Sequence, residues 1–100
     1  MDKKRWEKLS FVEQMANIAS EIARAIKWKE ANEQETSQQC FWRAVELIDL
    51  TIESCHKKTH LKEICRLKEV FCDYFLETNN YQTKPSFIND YLLPFAILEN

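Results

Sequence analysis

The absence of glycine is the feature that most constrains how this chain can fold. Among its 100 residues there is no glycine, and proline occurs only twice, as Pro85 and Pro94. Tight β-turns and the bends of sandwiches and barrels depend on these two residue types. The composition, 45% apolar and 30% charged, is that of a globular domain that buries its own core. We therefore predict one all-α domain over residues 1–100.

Periodicity and capping signals predict an antiparallel bundle of about four helices. Ser10 and Glu13 fit the S-x-x-E capping box at the start of a first long helix, which ends near residue 30. The second helix is predicted over residues 34–57 and the third over residues 60–78, with Thr59 as its N-cap. The apolar positions recur at helical spacing in all three segments. The predicted buried faces are Phe11, Val12, Met15, Ala16, Ile18, Ala19, Ile22, Ala23 and Ile26; then Cys40, Phe41, Ala44, Val45, Leu47, Ile48, Ile52 and Cys55; then Leu61, Ile64, Cys65, Leu67, Phe71, Tyr74 and Phe75.

Two further segments complete the predicted bundle. A fourth helix begins near Pro85, and Pro94 predicts a kink or a break in it, because proline removes a backbone donor. At the other end, residues 2–9 are expected to form a short turn that lays Trp6 and Leu9 over the bundle. On the third helix, we predict a solvent-exposed face that carries Arg66, Glu69 and Asp73.

The C-terminal segment is the candidate interaction surface. From residue 87 to residue 98, nine of the twelve residues are apolar, and a surplus of this kind must be covered by the bundle or by a partner. The residues expected to form the surface are Phe87, Tyr91, Leu92, Phe95 and Leu98. We accordingly expect a non-catalytic interaction or accessory protein that binds a protein partner or a second copy of itself.

The charge distribution bears on other classes of partner. The net charge is −2 and is shared evenly between the two halves of the chain. The longest uncharged run has eight residues, whereas a membrane span needs ~20. We expect no export signal, no membrane partner and a cytoplasmic location. The alternative function is association with nucleic acid through the basic stretch from Lys57 to Lys68, which also holds Lys58, Lys62 and Arg66 and is diluted by Glu63.

Candidates for chemistry are few. The four cysteines, Cys40, Cys55, Cys65 and Cys72, are expected to be free, buried thiols. His56 and His60 lie between Cys55 and Cys65, but this spacing lacks the close cysteine pair of structural zinc sites, so we predict no metal ion and no cofactor. An E-x-x-H motif ends at His56, and a di-iron bundle needs two of them. We assign no catalytic residue, and an enzyme ranks third among the functions considered.

Two resemblances add to these predictions. The first helix pair resembles a single tetratricopeptide hairpin at Ala25, Trp28, Ser37, Phe41 and Ala44, which implies that the two helices pack closely. Most of the chain resembles a group of short, uncharacterised, all-helical prokaryotic proteins. That likeness implies a bacterial or archaeal cytosolic origin and transfers no activity. It rests on the strings Trp6-x2-Leu9-Ser10-x2-Glu13-Gln14-Met15-x-Asn17-Ile18, Arg24-Ala25-Ile26-x-Trp28, Arg43-Ala44-x-Glu46-Leu47-x-Asp49-Leu50 and Leu61-Lys62-Glu63. The R-x4–6-H motif of small helical HEPN nucleases is absent from the sequence.

Overall fold

The chain is an all-α bundle, as its composition and periodicity predict. The computed structural model describes residues 2–76, which form four helices and no strand. The helices are α1 (Lys3–Glu7), α2 (Phe11–Glu30), α3 (Gln34–Ser54) and α4 (Lys58–Leu76). Within this range, no helix combines the length and the apolar character that crossing a bilayer requires. The fourth helix predicted from Pro85, and the candidate surface from Phe87 to Leu98, lie outside the described residues.

Short connections make the long helices antiparallel neighbours. Residues 31–33 join α2 to α3, and residues 55–57 join α3 to α4, and loops this short bring consecutive helices side by side in opposite directions. The most extensive contact is between α2 and α3, and α1 and α4 both pack on α3. Ala25 and Ala44 are fully buried in the core, so small side chains allow the helices to approach closely.

Local signals determine both ends of α2. At its start, Ser10 Oγ accepts from the Glu13 amide at 3.1 Å, and Glu13 Oε1 accepts from the Ser10 amide at 2.9 Å. This is the predicted capping box. At its end, Asn32 adopts a left-handed φ of 61°, and the Glu33 amide bonds back to the Trp28 carbonyl at 2.9 Å. This Schellman arrangement usually employs glycine, and asparagine takes that place in a chain that has none.

Helix α1 is fastened to the bundle by a buried tryptophan. Trp6 has 0% of its surface exposed, and its Nε1 donates to Thr51 Oγ1 on α3 at 2.9 Å. From α2, Gln14 Nε2 donates to the Trp6 carbonyl at 2.9 Å. The expectation that residues 2–9 lay Trp6 over the bundle is confirmed, and Leu9 also packs against the core.

The turn between α3 and α4 differs from the prediction. Helix α3 ends at Ser54 rather than at residue 57, because the backbone of Cys55 is extended, with ψ of 130°. Helix α4 begins at Lys58, and the Leu61 amide bonds to the Lys57 carbonyl at 2.9 Å. Thr59 therefore lies inside the first turn of α4, and its assignment as N-cap was wrong.

Three predicted faces also need correction. Asp73, predicted on the exposed face of α4, is buried at 5% exposure. Val70 lies three residues earlier and is buried too, so the covered part of α4 extends further round the helix than the apolar periodicity indicates. In the opposite sense, Ala23 and Leu61 were predicted to be core residues and are exposed.

Candidate functional site

An exposed tryptophan marks the outer face of α3. Trp42 is 63% exposed, whereas Trp6 is fully buried and Trp28 is half-buried. It directly follows Phe41, which belongs to the core, and successive residues of a helix are ~100° apart, so the two rings diverge. Their centroids are 5.0 Å apart in an edge-on arrangement. The indole of Trp42 is thus supported by the core on one edge while much of its surface faces solvent.

Trp42 forms one end of a shallow groove, here called the Trp42 groove. Its volume is about 370 Å³. The described residues that line it all belong to α3: Trp42, Val45, Glu46, Asp49, Leu50 and Glu53. Val45 and Leu50 are partly buried hydrophobic residues that also pack against the core. Glu46, Asp49 and Glu53 therefore follow Trp42 along the middle of this face, and Val45 and Leu50 lie on its two flanks, ~140° apart around the helix.

Two of these carboxylates already hold lysines. Asp49 Oδ1 accepts from Lys68 Nζ at 2.7 Å, and this hydrogen bond raises the pKa of Lys68. Glu53 Oε2 lies 3.3 Å from Lys3 Nζ. All four side chains retain 39–56% of their exposure, and exposed ion pairs of this kind contribute only ~0–1 kcal/mol. Both ion pairs are therefore expected to contribute little to stability.

A second cavity, here called the His60 pocket, lies where the turn after α3 meets the start of α2. It has a volume of about 410 Å³. Its described lining is Glu7, Leu9, Phe11, Gln14, Glu53, Ser54, Cys55, His56, Lys57 and His60. The ring of His60 stacks on Phe11 with centroids 3.9 Å apart and planes 3° from parallel. Gln14, Ser54 and Cys55 each direct a donor at a backbone carbonyl.

The His60 pocket brings together only part of the cysteine and histidine set considered from the sequence. Cys55, His56 and His60 line it, and Cys65 does not appear among its described lining residues. Cys65 follows His60 by five residues, which places it ~140° further round α4. Among residues 2–76, no group of three histidine, cysteine or acidic side chains is arranged to hold a metal ion.

The cysteines are free but less buried than expected. Cys40 is buried, whereas Cys55, Cys65 and Cys72 are only partly covered. The prediction of four buried thiols was therefore wrong for three of them. Burial is the main cause that raises the pKa of the Cys72 thiol, so Cys72 is a weak nucleophile at neutral pH.

The basic stretch is divided between two sides of α4. Lys58, Lys62 and Arg66 are exposed and follow one another at intervals of four residues, so they form a row along one face. Lys68 lies on another side of the helix, where it is paired with Asp49. The exposed row therefore holds three of the five lysine and arginine residues in the stretch from Lys57 to Lys68.

Comparisons with protein-family models, with curated proteins and with solved structures gave no significant match. The candidate site is therefore interpreted from its own geometry.

The residue that sequence reasoning missed is Trp42. A signal for it existed, because Trp42 lies among Gln39, Arg43 and Glu46, on the polar side of the predicted second helix.

Proposed function

We propose that this protein is a non-catalytic interaction protein that contacts a partner through the Trp42 groove. The observation that carries the proposal is the 63% exposure of Trp42. Tryptophan is strongly enriched among the residues that dominate binding energy at protein interfaces. Its ring offers a large contact area at a low entropic cost.

The surroundings of Trp42 also fit an interface. Val45 and Leu50 add partly buried apolar surface to the lining of the groove, and the carboxylates between them offer polar contacts to a partner. Helix α3 packs against each of the other three described helices. Its outer face is therefore held rigidly. A rigid surface loses little entropy when a partner binds.

Co-purification from the native host tests the proposal. We expect wild-type protein to retain at least one partner, or to show a concentration-dependent mass by light scattering. The Trp42→Ala variant should lose that association while it keeps its melting temperature, because an exposed side chain contributes little to stability. The matched control is Arg43→Ala, which removes the adjacent exposed side chain and should leave the association intact. Equal association by wild type and Trp42→Ala contradicts the proposal.

The second candidate is association with nucleic acid, which the row formed by Lys58, Lys62 and Arg66 favours. Three phosphate contacts would give weak, salt-sensitive binding. A mobility shift at low and at near-physiological salt tests this function. The triple substitution of these residues by glutamine should abolish any shift, whereas Trp42→Ala should not affect it.

A further inference from the structure

We draw no further inference here: the strongest candidate, the Trp42 groove on the outer face of α3, belongs to the site already described, its carboxylates at Asp49 and Glu53 are already paired within the chain, and nothing in the structure shows what covers it.

Discussion

The hydrogen bond between Trp6 and Thr51 offers a direct test of how α1 is held on the bundle. Thr51→Val removes the hydroxyl that accepts from Trp6 Nε1 at 2.9 Å and keeps the β-branched shape. Since both residues are 0% exposed, the indole N–H is then left buried without this partner. Leaving a buried donor unsatisfied costs about 1–3 kcal/mol. For a domain of this size, that corresponds to a fall in melting temperature of roughly 4–8 °C per kcal/mol.

A double-mutant cycle separates this hydrogen bond from the change in packing. Trp6→Phe removes the N–H together with part of the ring, so Thr51→Val should cost much less in the Trp6→Phe background than in wild type. Urea unfolding followed by circular dichroism measures the four free energies of unfolding. Thr36→Val, an exposed substitution on the same helix, should stay within about 0.5 kcal/mol of wild type. Equal costs of Thr51→Val in both backgrounds would refute the assigned role of the bond.

Three further predictions concern the ends of helices. Asn32→Ala should destabilise the protein by about 1 kcal/mol, because alanine lacks the short polar side chain that lets asparagine adopt the left-handed region. Asn32→Gly should be neutral or stabilising, and thermal unfolding measures both. Lys29 Nζ donates to the carbonyls of residues 74 and 75 at 2.9 and 3.1 Å, so Lys29→Met should speed amide exchange in the last turn of α4 more than Lys27→Met does. The Ser10 amide, and then the Ser10 hydroxyl, lower the pKa of Glu13 below its ordinary value of 4.5. The stabilisation by Glu13 is present above pH 4.5 and is lost as the pH falls through the lowered pKa. The advantage in stability of wild type over Glu13→Gln should therefore shrink over that acidic interval, which urea titrations at several pH values measure.

Much of the fold could be predicted from short-range signals. The capping box at Ser10 and Glu13 sets the start of α2, and the apolar periodicity identifies the cores of α2, α3 and α4. The burial of Trp6 was also predictable. A large apolar ring on a short segment next to a capped helix is stabilised by packing over the core. These features depend on residues close together in sequence, or on a single helical face.

The remaining features depend on contacts between distant parts of the chain. Asp73 has the chemistry of a surface residue, and only the packing around α4 shows that its side of the helix is covered. The extended backbone at Cys55 carries no residue signature, so the position of the turn, at residues 55–57 rather than 58–59, was not predicted. For Trp42, the periodicity placed Phe41 in the core and left the neighbouring indole on the polar side. How much of that ring the rest of the chain covers depends on tertiary packing.

Site-specific photocrosslinking at position 42 tests the central functional claim most directly. A photoreactive phenylalanine analogue replaces Trp42 in protein expressed in the native host, and a control carries the analogue at Ser20, an exposed position on α2. The proposed interaction through the Trp42 groove predicts an adduct with one discrete protein at position 42 that is absent at position 20. An identical set of adducts at the two positions, or no adduct at position 42, would contradict it.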